Sequence, residues 1–165
     1  MARFVSEELG PDHGREAFDC GSDTLNHWLL AHAPHAQAML TARTFVWHEH
    51  DMKVVAYFSL AAHLIVRGQV PNRLSRGSPR TIPAILLARL ALDISLHGEG
   101  LGGELLWDAL SRACAASRIA AARLVVVDAL NDHARAFYEH HGFVALADVP
   151  YRLMQKVSDI TAALA

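Results

Sequence analysis

Ile85-Leu86-Leu87-Ala88-Arg89-Leu90-Ala91-Leu92-Asp93, followed shortly by His97-Gly98-Glu99-Gly100-Leu101-Gly102-Gly103, is the stretch that decides how this chain folds. Its first part is an apolar run long enough for a central strand, interrupted only by Arg89. Its second part is a glycine cluster. Beyond the cluster, Leu105, Leu106, Ala109, Leu110 and Ala113 form an apolar stripe at helical spacing within Glu104–Ser117. Arg-Leu-Val-Val-Val-Asp-Ala at 123–129 then reads as a buried strand of the parallel type. Strand, glycine turn, helix and strand make a βαβ unit with its glycines at the strand-to-helix turn. Such a turn leaves backbone N–H groups uncovered at a helix N-terminus. Those amides and the helix dipole favour an anion such as a diphosphate.

Working outward, Asn131 or Asp132 caps a further helix that ends at His141, with Gly142 just past its end. Tyr151–Val157 is the last expected strand. Upstream, Phe4–Leu9 is a short first strand, and Ser22 is the N-cap of a helix over Asp23–His32 that Pro34 interrupts. The face with Leu25, Trp28 and Leu29 is expected to pack inward, and His35–Leu40 is a second short helix. Thr44–Trp47 and Val54–Leu60 form an antiparallel hairpin. Gly68–Thr81, with Gly68, Pro71, Asn72, Gly77 and Pro79, reads as an extended surface loop whose arginines are solvated. The expectation is a single α/β (α+β) domain over 1–165, with a mixed central β-sheet flanked by helices.

Composition agrees with a packed globular core: 52% of residues are hydrophobic and 19% charged. No run of about 18 apolar residues suggests a membrane span, and the N-terminus lacks the apolar region of a secretory signal. Cys20 and Cys114 are too few for a disulfide framework, so a reducing cytoplasm fits best. The net charge of −2 hides an asymmetry. No acidic residue lies between Asp51 and Asp93. That segment carries Lys53, Arg67, Arg73, Arg76, Arg80 and Arg89 for a net +6, leaving −8 for the remainder. Thirteen of the fifteen basic residues are arginines, the type suited to bidentate phosphate contacts.

Gly98, Gly100 and Gly103 also spell G-x-G-x-x-G, and Asp128 closes the next strand as a dinucleotide site requires. Topology argues against that reading. Only 37 residues follow Asp128, too few for the further βαβ units. The pattern His97-x-x-Gly100-x-Gly102 instead resembles the Gln/Arg-x-x-Gly-x-Gly/Ala signature of the GNAT acyltransferase superfamily, with His97 in place of Gln or Arg. Asn131, Ala134, Phe137-Tyr138 and Gly142-Phe143 are similar to the GNAT pattern after the fifth strand. The likeness reaches Phe18-Asp19-Cys20-Gly21, Trp28-Leu29, Ala42–Val46, Tyr57–Leu60 and Leu87–Asp93. These resemble one GNAT branch, the tRNA-acetylating toxins of bacterial toxin–antitoxin modules.

The resemblance implies a GNAT fold in which a splayed strand pair holds acetyl-CoA. It implies an N-acetyltransferase that acetylates the α-amino group of aminoacyl-tRNA and so inhibits translation. A homodimer and a ribbon-helix-helix antitoxin are implied with it. Residues His97, Gly98, Glu99, Gly100, Leu101, Gly102 and Gly103 would hold the cofactor's diphosphate. The main chain of Leu90, Ala91 and Leu92 would pair with the pantetheine arm, and Asn131 would add a polar contact beside its capping role. Tyr138 would be the general acid that protonates the departing thiolate. A phenol's ordinary pKa lies within about 1.5 of a thiol's. Adjacent helical residues point about 100° apart, so one of Phe137 and Tyr138 packs and the other is free to line a cleft. No general base stands out, which suits an α-amine (pKa about 7.7–8.0) better than a lysine amine.

Arg89 in an apolar strand needs a charged partner, either Asp93 or a substrate phosphate. Arg73, Arg76 and Arg80 would contact the tRNA backbone, which positions but carries no base identity. Some relatives are lysine-rich in the first helices where this chain has Leu29, Leu30, His32 and His35, so its basic surface is expected to be smaller or partly histidine-based. The eleven histidines show no zinc-type spacing, and no metal is expected. No Gly-x-Ser-x-Gly elbow of a hydrolase occurs. Two other readings stay open at this point: a GNAT enzyme acting on a small amine or a protein N-terminus, and an inactive GNAT fold used for binding.

Overall fold

In the computed structural model, which describes all 165 residues, the deciding apolar stretch is the second half of a twelve-residue strand, β4 (Thr81–Leu92). The glycine turn leads into α4 (Leu101–Ser117), and β5 (Leu124–Asp128) follows. β5 lies parallel to β4, with Ala84 opposite Leu124 and Leu87 opposite Val127. Pairing stops there, yet β4 runs on to Leu92. The main chain past Leu87 is therefore unpaired on its β5 side, which is the splay that the resemblance implies.

The other strands are β1 (Val5–Glu8), β2 (Arg43–His48), β3 (Ala56–Val66), β6 (Val144–Ala145) and β7 (Arg152–Lys156). All seven form one mixed sheet in the order β1-β2-β3-β4-β5-β7-β6. No helix is long and apolar enough to cross a membrane. By internal packing the chain divides into two units, Met1–Ala61 with Ala88–Asp108, and Ala62–Leu87 with Ala109–Ala165.

In the first unit β1, β2 and β3 are consecutively antiparallel, with Glu7 opposite Val46 and Val46 opposite Tyr57. The expected hairpin is present, with its second strand longer than predicted. Leu29, Val46 and Tyr57 are fully buried at the centre of this core. Ser22 caps α1 (Asp23–His27), its side chain accepting from the Leu25 amide. Pro34 does not interrupt the helix. The chain first widens into a π-helical turn over Trp28–His32, and Pro34 falls in the first turn of α2 (Ala33–Ala38), where a missing N–H costs little.

A polar clasp ties β1 to the β2–β3 turn. His13 Nε2 lies 2.9 Å and His48 Nε2 2.7 Å from Glu7 Oε1, and both rings are buried. His13 Nδ1 accepts the Gly10 amide, and His48 Nδ1 the Met52 amide. Each Nδ1 is thus the bare nitrogen and each Nε2 carries the proton that Glu7 receives. A neutral ring held this way has no lone pair left for a cation at Nε2, so the trio reads as a hydrogen-bonded clasp although its spacing would suit a metal.

In the second unit β5 is antiparallel to β7, and β7 to β6. Ile82, Leu124, Val126 and Met154 form its buried centre. α5 (Asp132–His140) has Asn131 as N-cap, its side chain accepting from the Ala134 amide. Gly142 follows the helix at φ +94, a backbone that glycine adopts freely. Two elements lie outside the sequence reading, β6 and α6 (Val157–Leu164).

The expected loop at 68–81 is more ordered than predicted. It holds a 3-10 turn (Arg67–Gln69) and the short α3 (Asn72–Ser75). Val70 and Leu74, one helical turn apart, are buried anchors, as are Ser75 and Ser78. Arg73, Arg76 and Arg80 remain exposed, as expected.

Candidate active site

Gly98 and Gly100 adopt φ +81 and +75, the left-handed region that glycine enters without strain. An added Cβ at either would meet nothing within 4 Å, so the space over the turn is open. The amides of Gly98, Glu99 and Gly100 donate to no backbone carbonyl of the chain. Helix α4 begins at Leu101, earlier than its apolar stripe suggests, so Gly102 and Gly103 belong to its first turn. Open amides, absent side chains and a helix N-terminus together make an anion cradle. The His97 ring is turned back to the end of β4, its Nε2 2.8 Å from the Leu92 carbonyl oxygen. Glu99 is turned aside to the exposed Arg3, at 3.3 Å.

The β4 end of the site is held by an acid network. Asp93 Oδ2 accepts the Asp19 amide, while Oδ1 accepts the Ser95 amide and hydroxyl. Partial burial opposes the Asp93 charge, but these donors hold its carboxyl below the ordinary range. Asp19 in turn accepts from the Gly21 amide and Asn26, which hold its carboxyl down as well.

Arg89 therefore does not pair with Asp93. In an extended strand, residues four apart are separated by about 13 Å, too far for an ion pair. The Arg89 guanidinium instead lies 3.8 Å from the centre of the Trp28 ring. This cation–π contact supplies about 1 kcal/mol. Tyr57 also stacks on Trp28, with ring centroids 6.1 Å apart, and its hydroxyl donates to the Leu25 carbonyl at 2.8 Å. Arg89 forms no salt bridge with any carboxylate of the chain, and its partial burial lowers its pKa. The stack orients the guanidinium over the Trp28 ring.

Tyr138, and not Phe137, is the more buried of the aromatic pair, at 8% exposure. Its ring meets Phe137 and Phe143 edge-on, with centroids 5.3 and 5.6 Å away. Burial pushes the phenol well above its ordinary pKa, and no charged group offsets that. Burial thus keeps the Tyr138 phenol protonated and makes it a weaker acid than a free phenol.

The description of the acetyltransferase (GNAT) domain matches residues 16–153. This chain belongs to the GNAT acetyltransferase family. A curated relative from Mycobacterium tuberculosis (strain ATCC 25618 / H37Rv), named tRNA-acetylating toxin, is 36% identical over 146 residues, covering 88% of this chain and 87% of the relative. The solved structure of AtaT complexed with acetyl-methionyl-tRNAfMet superposes with a TM-score of 0.90 at 27% identity, covering 98% of this chain and 99% of that one. A tyrosine-to-phenylalanine mutant of the AtaT toxin, bound to the C-terminus of the antitoxin AtaR and acetyl-CoA, gives 0.86 at 25% identity, with 99% of both chains covered.

As a GNAT enzyme the chain transfers an acetyl group to nitrogen, and the glycine turn of its first unit offers open amides suited to an anion. Leu90 and Leu92 are half-buried and Ala91 is buried. The Leu92 carbonyl already receives His97. Asn131 spends its Oδ1 on the cap, so only its side-chain N–H groups remain for a ligand. The sequence reading overlooked Trp28 as the support of Arg89 and the Asp19–Asn26–Asp93 network. A signal for the first was available: an arginine in an apolar strand with no acid within reach leaves an aromatic face as the remaining partner.

Proposed function

We propose that this chain is an acetyl-CoA-dependent N-acetyltransferase toxin that acetylates the α-amino group of aminoacyl-tRNA and thereby inhibits translation. The identity of 36% to a tRNA-acetylating toxin, across nearly the full length of both chains, carries this reading. The exposed arginines and the acid-free Arg89 support it, because an enzyme for small amines has no use for them.

The free amides of Gly98–Gly100 and the first turn of α4, with Leu101, Gly102 and Gly103, fit the diphosphate of acetyl-CoA. The main chain of Leu90, Ala91 and Leu92 would take the pantetheine arm, and Asn131 would add a side-chain N–H. Acetyl-CoA, when bound, supplies the acetyl group as a thioester. The chain's residues do the rest. The acceptor's amine arrives neutral, its N–C bond forms as the C–S bond breaks, and its surplus proton leaves to solvent. Tyr138 holds on its Oη the proton that the departing sulfur needs. Arg89 receives a phosphate of the acceptor near the site, and Arg73, Arg76 and Arg80 bear on the RNA backbone. A homodimer, a ribbon-helix-helix antitoxin and a cytoplasmic setting belong to the same reading, and the AtaT–AtaR complex supports the antitoxin.

Incubation with labelled acetyl-CoA and total charged tRNA tests the reading. Label is expected on aminoacyl-tRNA and to be lost after mild base releases the amino acid ester. Label on polyamines, with none on tRNA, would leave the acetyltransferase and remove the toxin.

A further inference from the structure

The anion cradle at the glycine turn carries an acid of its own. The Glu99 N–H is one of the open amides, and the same residue brings a carboxylate to the turn. A bare carboxylate there competes with an incoming anion for the helix N-terminus and repels a diphosphate. Where that side chain goes therefore bears on how well the turn binds. Here it is paired: Arg3 Nη1 lies 3.3 Å from Glu99 Oε1.

Arg3 is itself held in place, by groups of the first unit. Its Nε donates to Glu49 Oε2 at 3.1 Å, just past the end of β2. Its guanidinium lies 4.8 Å from the centre of the Phe4 ring, and Phe4 stacks on Trp47 of β2 with ring centroids 4.9 Å apart. Anchored by Glu49 and Phe4, the guanidinium presents Nη1 to the glycine turn. Arg3 also lines one cavity together with Leu101, Gly103 and Glu104, which sets it beside the first turn of α4. An exposed ion pair of this kind adds little to folding. What it changes is the charge at the turn, because it draws the Glu99 carboxylate to itself and offsets it.

We infer that Arg3 is a positioning residue for acetyl-CoA: it holds the Glu99 carboxylate away from the space over Gly98–Gly100 and so raises affinity without touching the cofactor. The inference rests on the proposal that this turn holds the diphosphate, and adds to it the group that keeps the turn receptive to an anion. Arg3 acts through Glu99, so its effect vanishes when the Glu99 charge is removed.

Calorimetric binding of acetyl-CoA, with no acceptor present, tests this. Arg3→Ala is expected to raise Kd about fivefold at low salt, and Arg3→Lys to recover most of the affinity. Glu99→Gln is expected to bind at least as tightly as wild type, and Arg3→Ala added to it to cost nothing further. The Arg3→Ala loss should also shrink as ionic strength rises to about 0.5 M, since exposed charges are then screened; a loss through damaged packing would persist. If Arg3→Ala still weakens binding in the Glu99→Gln background, Arg3 acts by touching the cofactor or by supporting the fold, and the positioning role is overturned. If Arg3→Ala binds as wild type while Gly100→Val abolishes binding, the glycine turn stands and Arg3 has no part in it. If Gly100→Val binds as wild type does, the diphosphate lies elsewhere, and the inference falls together with the site beneath it.

Discussion

The Tyr138 hydroxyl finds no hydrogen-bond partner in the chain, and its ring is packed edge-on between Phe137 and Phe143. Removing the oxygen therefore takes nothing from the fold. Tyr138→Phe is expected to melt at the wild-type temperature or slightly above, while kcat falls by about 10²–10⁴-fold. A melting temperature lowered in step with the rate would make the hydroxyl a structural group. The pH dependence is equally specific. An acid catalyst works protonated, and burial raises the pKa of this phenol, so its ionisation is postponed to more alkaline pH. Wild-type kcat should not decline as pH rises to about 10, the ordinary phenol value. A decline there that Tyr138→Phe abolishes would place the phenol in water. Arg89 shows where single residues were hard to read: its need for a partner was visible in the sequence, but its partner, Trp28, is 61 positions away, and only the fold brings the two together.

At the scale of elements, the Glu7 clasp joins β1 to the turn after β2 through two buried rings. Hydrogen bonds from His13 and then His48 hold the Glu7 carboxyl below its ordinary pKa. A carboxyl depressed in the folded state adds stability that is fully present above its unfolded pKa, about 4.3, and lost as pH falls through the folded value. Glu7→Gln should therefore flatten the fall in melting temperature on the acid side and change little near neutrality; thermal melts from about pH 3 to 7 check this, and an unchanged acid slope would count against the clasp. The elements with a strong period were legible. The βαβ unit, the β2–β3 hairpin and the two capped helices all follow from apolar spacing and from Ser22, Asn131 and Gly142. What was not legible lacked a period. β6 is only Val144–Ala145, α6 begins directly where β7 ends, and the π-helical turn at Trp28–His32 keeps a helix going where Pro34 suggested a stop. For the site, the glycine turn was legible because unusual φ angles need glycine. The bond from the Asp19 amide to Asp93 was not, because its two ends lie far apart in sequence.

For the whole molecule, charge is the property that bears on an RNA partner. The segment from Met52 to Leu92 is +6 in a chain that is otherwise −8, and Arg73, Arg76 and Arg80 stand exposed. Replacing all three by alanine should reduce the slope of log affinity against log salt by about three, measured with uncharged tRNA. An unchanged slope would move the RNA contact elsewhere. Leu74, Ser75 and Ser78 are buried beneath these arginines, and Arg123 donates to the Arg76 carbonyl at 2.6 Å. The cations thus sit on a clamped segment and not on a free loop. The consequence is kinetic. A rigid cationic strip on a mostly acidic chain captures a polyanion in few orientations, and it need not wait for a loop to order. Salt should then slow the arrival of tRNA much more than it hastens its departure, and the toxin would find charged tRNA by the speed of encounter and not by the tightness of its grip.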